Sequence, residues 1–413
     1  MNQDTGEEIL TALDLGATKV CALLGVVREG GLTIIGEGTV PCYGIQKGVI
    51  IDIEPTVEAI ASAVRAAEKQ AGVKAGPAMA SVSGQHIKSA TSDGSVTVHN
   101  RDHGITDEDV RRVLDQAVVH AESTTDHEVL HTIPVMFSVD GQDSIRNPVG
   151  MYGNKLIAKV RIITGAVSCT QNVIRCIQLA DMVPQGLILH SLASQKSVLS
   201  PEEREMGVVC IDIGGSTTDL AIMIGKSVRH TAVIPIGGDL ISKDVSVGLR
   251  IPYDVAEAVK RSSGSCMISE VREDENVEIA ASGGRQAKAI PRRTLARIIE
   301  ARVEDIFDGV KAEINVAGFG EGELAGGLVI TGGCANLPFI VAKAEKTFEV
   351  LAARVGEPSG TVSSPEALRM PEYASAVGLL IEAAEQRRHA PSARRKSSFG
   401  GVSKMLKDWI RGA

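Results

Sequence analysis

Apolar residues recur along the first eighty positions in two distinct periods. Short β-branched runs at 9–15, 20–27, 32–40 and 48–53 are separated by turns, and each has strand length. Over 54–70, Val57, Ile60, Ala61, Val64 and Ala67 fall on one helical face, and 78–83 reads as a further buried strand. The order is β-β-β-α-β, with a glycine between the first two strands. The pattern returns in mid-chain, where LDLGATKVCALLGVV at 13–27 parallels IDIGGSTTDLAIMIG at 211–225. Asp14 then aligns with Asp212, Gly16 with Gly214 and Thr18 with Ser216. Self-similarity half a chain apart marks a duplicated domain. Two similar halves place a ligand site between them.

Two stretches interrupt these halves. Residues 84–164 hold a helix that Thr106 caps and that Asp107, Glu108 and Asp109 begin. Strands follow, turning at Asp140 and Gly141 and again at Asn147 and Pro148. Residues 241–315 hold helices at 253–261 and 292–314. On the second, Leu295, Ile298, Ile299, Val303, Ile306 and Val310 form an apolar face with Arg302 in its middle. A charge placed there needs a partner. That partner is either an acid of the same subdomain or an acidic, apolar peptide laid in a groove.

The expected organisation is 1–83 with 165–200 as one core, 84–164 as its insertion, 201–240 with 316–385 as the second core, and 241–315 as the second insertion. The longest uncharged run, 324–342, contains four glycines, Thr331, Asn336 and Pro338, and reads as strand, turn and helix start rather than a membrane span. Residues 386–398 lack apolar periodicity and are rich in Arg, Ser, Ala and Pro, as a flexible linker is. Periodicity resumes over 399–413. Phe399, Val402, Met405, Leu406, Trp409 and Ile410 share one helical arc, and Lys404, Lys407, Asp408 and Arg411 lie opposite. That segment is too short and too charged to span a bilayer and is suited to lie in its interface, on anionic lipid.

Composition sharpens this picture in three ways. Aromatic residues make up 3% of the 413, so the cores must be built from Ala, Val, Ile and Leu, which suits buried parallel strands. The net charge of −8 is uneven: from residue 387 onward eight basic residues face the single acid Asp408. An acidic body with a basic end argues against nucleic acid as a partner and for an anionic surface at the tail. The seven cysteines include no Cys-x-x-Cys pair, although Cys169 and Cys176 can share a helix face. They read as thiols in a reducing compartment rather than metal ligands. Asp4, Glu7 and Glu8 stand where a signal peptide would be basic.

The repeated motif carries the chemistry. A strand ending in Asp-x-Gly, followed by small residues and a second strand, makes a tight hairpin whose N–H groups can meet phosphate oxygens. Gly16, Ala17 and Thr18 form one such tip, and Gly214, Gly215, Ser216 and Thr217 the other. Lys19 adds positive charge towards the β/γ phosphates. Asp14 and Asp212 would hold Mg²⁺ through water. In LVITGGCANLPFI, a buried strand runs into Gly332 and Gly333, where adenine could lie against the backbone.

These residues resemble the actin/Hsp70/sugar-kinase superfamily: phosphate motifs at 14–19 and 212–219 and an adenosine motif at 330–336 that includes Asn336. The resemblance implies α/β architecture, with duplicated actin-like (ribonuclease H-like) domains around an ATP cleft. It also adds Glu257 and Lys260 of a Glu-x-x-Lys helix as ribose and adenine contacts, against the plainer reading of a surface ion pair. Within the superfamily the chain resembles the FtsA cell-division family over nearly its full length. The carriers are GIQKGVIIDIEPTVEAI, SVSGQHIKS, VDGQDSIRNPVGMYG, LASQKSVLS, VIPIGGDLISKDVSVGL (which includes Gly238) and the amphipathic end.

That resemblance implies an inserted subdomain of FtsA type at 84–164, self-assembly into an actin-like filament, and a peripheral place on the cytoplasmic face of the membrane at the division site. It further implies a grip on the C-terminal tail of FtsZ, with Arg302 implicated, and recruitment of other division proteins. Bacterial actins such as MreB usually carry a Glu-Pro pair that positions the attacking water, and here Ser191 and Leu192 stand in its place. Gln195 could orient a water, but no carboxylate is available as base, so at most slow ATP hydrolysis is expected. A metabolic kinase would need a catalytic acid that is not found. A scaffold of a pilus or secretion machine would leave the basic linker and terminal helix unexplained.

Overall fold

The computed structural model describes residues 8–28, 31–98, 104–121, 126–279, 287–349, 351–359, 362–363 and 365–388. The chain opens with the antiparallel meander β1 (Leu10–Leu15), β2 (Lys19–Arg28) and β3 (Gly31–Pro41). The expected strand over 48–53 is not one element. Val49 and Ile50 form β5 (Val49–Ile50) of a small hairpin with β4 (Ile45–Gln46), and helix α1 (Ile53–Ala71) already begins at Ile53. Pro55 permits this, because a first-turn residue has no helical N–H bond to lose. Strand β6 (Ala78–Val82) then joins β1 in parallel.

The insertion comprises β7 (Lys88–Thr97), α2 (Asp107–His120), β8 (His127–Val139), β9 (Gln142–Ile145) and β10 (Lys155–Ala166). Its four strands lie in the order β7-β10-β8-β9, with α2 on one face. As expected, Thr106 caps α2, in a reciprocal box with Asp109. The chain returns to the first core through α3 (Val167–Leu179), β11 (Pro184–Leu189) and α4 (His190–Val198).

After a short helix α5 (Pro201–Met206), the second core repeats the first: β12 (Val208–Ile213), β13 (Thr218–Ile224), β14 (Ser227–Ile234), then α6 (Gly238–Leu249) and α7 (Tyr253–Ser263). A hairpin of β15 (Asn276–Ile279) and β16 (Lys288–Pro291) leads into the long α8 (Arg292–Ala317). Strand β17 (Leu328–Thr331), helix α9 (Ile340–Phe348) and strand β18 (Ala353–Val355) follow. The strand orders β3-β2-β1-β6-β11 and β14-β13-β12-β17-β18 are the same. In each, three antiparallel strands are extended by two parallel ones. The duplication seen in the motif is a duplication of topology.

The expected second core of 316–385 is split in the structure. Strand β19 (Val362–Ser363) pairs with β3, and α10 (Ala374–Arg388) packs on β1, β2 and α4. The two helices α4 and α10 thus lie between the sheets, in a core that also takes Val208, Cys210 and Val329 from the second domain. Helix α10 extends to Arg388, so the expected linker loses its first three residues to it. Helix α6 likewise crosses the expected boundary at 240. The remainder of the linker and the 399–413 segment lie outside the described residues.

Candidate functional site

Each domain contributes one hairpin tip, and the two tips are built alike. Asp14 pairs with Cys21 across β1 and β2, and Asp212 with Asp219 across β12 and β13. The Gly16 N–H donates to the Lys19 carbonyl at 3.0 Å, as the Gly214 N–H does to that of Thr217 at 2.9 Å. The tips also meet: a Cβ on Gly215 would stand 2.6 Å from Thr18 Cγ2. Ala17, Thr18 and Ser216, at these tips, keep access to solvent.

The carboxylates behind the tips converge on one cation. His190, the first residue of α4, places Nε2 3.2 Å from Asp14 Oδ1 and Nδ1 3.5 Å from Asp212 Oδ2. Asp14 also accepts from Ser81 at 2.8 Å and from Ser375 of α10 at 3.1 Å. Asp212 accepts the Ser194 hydroxyl. Asp219 accepts from Thr217 at 2.9 Å and from Ser83, which reaches across from the first domain, at 2.7 Å.

Electrostatics follow from this crowding. Burial opposes ionisation of Asp14, but His190, Ser81 and Lys19 outweigh it and hold the carboxyl below its usual range. Burial dominates at Asp212 and, with Asp219 and Asp14 nearby, pushes it up to about 6 against the pull of His190 and Ser194. Burial works against a charged His190, yet Asp212 and Asp14 more than compensate and raise it to about 10. The imidazolium therefore stands where paired carboxylates from two domains demand a positive charge.

The other predicted residues frame the same cleft. Gly238 opens α6 and donates its N–H to the Gly214 carbonyl at 2.9 Å. Lys260 is buried; its Nζ donates to the Gly238 carbonyl at 3.0 Å and lies 2.6 Å from Glu257. The ion pair anticipated as the plainer reading is thus present, but it is anchored on the cleft wall rather than free on the surface. Gly332 has φ +84°, and a Cβ there would overlap Asp212 Oδ1 and come within 2.7 Å of the Ile213 carbonyl. Only glycine fits that turn. A Cβ on Gly333 would meet nothing within 4 Å, so this side of the cleft is open. Asn336 donates to Glu372 at 2.5 Å.

Two residues sit differently from their expected roles. The Lys19 ammonium lies over the Tyr373 ring, 4.3 Å from its centroid. Gln195 is buried and donates to the Leu192 carbonyl at 3.0 Å, so its amide N–H is engaged on its own helix. Residues Ser191 and Leu192 are buried too.

Sequence reasoning missed His190, which directly precedes Ser191, and the serines that reach the aspartates. Asp219 was visible as the position where the second repeat departs from Cys21 of the first. Among the described residues no group of three or more His, Cys, Asp or Glu side chains is arranged to hold a metal directly. The carboxylate oxygens of Asp14 and Asp212, which face each other across His190, are the hard donors that a Mg²⁺ ion held through water would take. Arg302 lies away from the cleft, on α8. Its Nε meets Asp244 of α6 at 2.7 Å and its Nη1 meets Asp305 at 2.9 Å, so the partner it requires is supplied from within the chain.

Two topologically equivalent α/β domains, each offering an Asp-x-Gly tip to a shared cleft, define an actin-like protein. Solved structures share this fold. A protein of the PilM–PilN type IV pilus biogenesis complex aligns at a TM-score of 0.64 and 14% identity, covering 91% of this chain and 98% of its own. MreB5 of Spiroplasma citri bound to ADP aligns at 0.52 and 14% identity, covering 92% and 95%. The family described as cell division protein FtsA matches residues 209–378, and the SHS2 domain inserted in FtsA matches 84–164. The cell division protein FtsA of Pseudomonas aeruginosa is 35% identical over 413 residues, covering 98% of each chain. That of Escherichia coli K12 is 34% identical over 422 residues, covering 100% of this chain and 99% of its own. That of Bacillus subtilis is 36% identical over 377 residues, covering 90% and 83%. The chain belongs to the FtsA family of cell-division proteins, and its role is in division.

Proposed function

We propose that the cleft binds Mg-ATP, and that the protein tethers FtsZ filaments to the cytoplasmic face of the membrane, assembles with itself and recruits later division proteins. The observation that carries the nucleotide reading is the convergence of both Asp-x-Gly tips, Gly238, Lys260 and Gly332 on one cleft. In this reading Asp14 and Asp212 hold the cation through water and the two tips take the phosphates. Gly332 and Gly333 let the base approach the backbone beside Glu257 and Lys260. The buried Gln195 and the lack of a carboxylate at 191–192 favour ATP as a ligand that closes the cleft over one that turns over rapidly.

The FtsZ tail would dock on α8 by competing with Asp244 and Asp305 for Arg302. The arc of Phe399, Val402, Met405, Leu406, Trp409 and Ile410, with Lys404, Lys407 and Arg411 opposite, would anchor the chain on anionic lipid. Among the described residues no helix is long and apolar enough to cross a membrane. Melting and flotation test the two halves of the reading. Mg-ATP should raise the melting temperature of wild type and not of Asp212→Ala. Deletion of 399–413 should release the protein from anionic liposomes without touching that ATP shift. Equal ATP stabilisation of Asp212→Ala would refute the cleft, and flotation of the truncated chain would refute the anchor.

A further inference from the structure

The inserted sheet meets the edge strand β14 of the second domain along a seam. Strand alternation sorts the side chains of β14. His230 pairs with Glu313 of α8 at 3.0 Å, and Ala232 and Ile234 pack into the second-domain core. Thr231 and Val233 therefore face the other way, where Val233 joins the cluster that holds Ile133 and Ile163 of the insertion. Arg229 is the extra residue of a bulge, since Val228 and His230 pair with the consecutive residues Met223 and Ile222. On the inserted sheet Arg161 stands opposite Thr91 and Ile133, and two residues on along the same face Ile163 stands opposite Ser89.

Arg161 and Arg229 touch: the Arg161 guanidinium donates to the Arg229 carbonyl. Neither has a carboxylate at ion-pair distance among the described residues. Each has its Nε buried with no partner, and so are the hydroxyls of Ser89 and of Thr231, itself 4% exposed. Burial and mutual repulsion lower the pKa of Arg161, and burial lowers that of Arg229, where Glu323 acts only from a distance. Two guanidinium groups stay charged under such conditions. Like charges brought together, half withdrawn from water and with no carboxylate at ion-pair distance among the described residues, leave a demand for an anion.

We infer that this seam is a binding site for a small tetrahedral oxyanion of the phosphate or sulfate class, held by Arg161 and Arg229 with the hydroxyls of Thr231 and Ser89. The guanidinium fork matches such an anion through paired N–H donors. Because one arginine belongs to the insertion and the other to the second domain, the bound anion fixes the position of one against the other. The site is separate from the proposed nucleotide cleft and does not depend on it.

The test compares wild type with Arg229→Met and Arg161→Met in chloride and in inorganic phosphate at matched ionic strength. In chloride the methionine variants should melt at or above wild type, because an uncompensated charge is gone. Phosphate should raise wild type by a few degrees and these variants by clearly less, with Arg229→Lys between. If the variants lose the same stability in both buffers, the arginines are packing elements and the proposal fails. If the variants keep the full phosphate shift, the anion binds elsewhere and the proposal fails. Should Arg161→Met not fold, Arg229→Met and Arg229→Lys decide alone. A crystal of the full chain grown with tungstate gives the location: an anomalous peak between the two guanidinium groups supports the site, and water alone there overturns it.

Discussion

His131 ties the inserted subdomain to the strand that leads into His190, and it makes the stability of the protein depend on pH in a calculable way. It stands on β8 and is 2% exposed; its Nε2 accepts the Leu189 N–H at 3.0 Å, immediately before His190. Nε2 is thus unprotonated in the fold, and Nδ1 has no partner. Burial pushes the pKa down from 6.5 to about 4, against a weaker opposing pull from Glu382. The unfolded chain takes up a proton near pH 6.5, while the folded chain resists until about 4. Stability from this group is therefore complete above 6.5 and is lost as pH falls through that window. At 1.36 kcal/mol per unit, the loss is about 2 kcal/mol by pH 5 and about 3 at the bottom of the window.

His131→Gln keeps an acceptor for Leu189 but cannot titrate. Urea denaturation of both proteins from pH 7.5 to 5 isolates the effect, because the other eight histidines are common to both. The variant should be the less stable at pH 7.5, through imperfect packing, and the gap should narrow by about 2 kcal/mol at pH 5. Parallel curves across the range would show that His131 is not held neutral by the fold.

Three further outcomes are expected. Gly378→Ala would stabilise an isolated helix by about 1 kcal/mol. Here the new Cβ would overlap the Ala193 carbonyl of α4, so a loss of roughly 2 kcal/mol or more in thermal or urea unfolding is expected instead. Gly332→Ala should cost about 1–3 kcal/mol from its positive-φ, extended backbone alone and abolish the Mg-ATP shift in melting temperature, through the overlap with Asp212. Arg302→Glu should weaken binding of an acidic FtsZ tail peptide by about 2 kcal/mol or more in fluorescence anisotropy, with the ATP shift intact, and unchanged affinity would remove α8 as the groove.

Short-range order along the chain is what makes part of this protein legible in its amino-acid sequence. The β-β-β-α-β pattern, the repeat of Asp14 in Asp212 and the capped helix at Thr106 rest on periodicity, turns and caps, which act within a few residues. So does the assignment of Gly332 to a turn. The amphipathic arc of 399–413 is likewise a property of spacing alone. Tertiary structure decides wherever a residue's role depends on a partner distant in sequence. The crossing of α10 back to the first domain follows from packing on β1 and α4, which its own letters do not announce. Arg302 on an apolar face required a partner, but only folding names Asp244. His190 is one histidine among nine until Asp14 and Asp212 close on it from 176 residues before and 22 after. Charge complementarity and close packing are set by distances in space, and the chain order fixes those only after the two domains have come together.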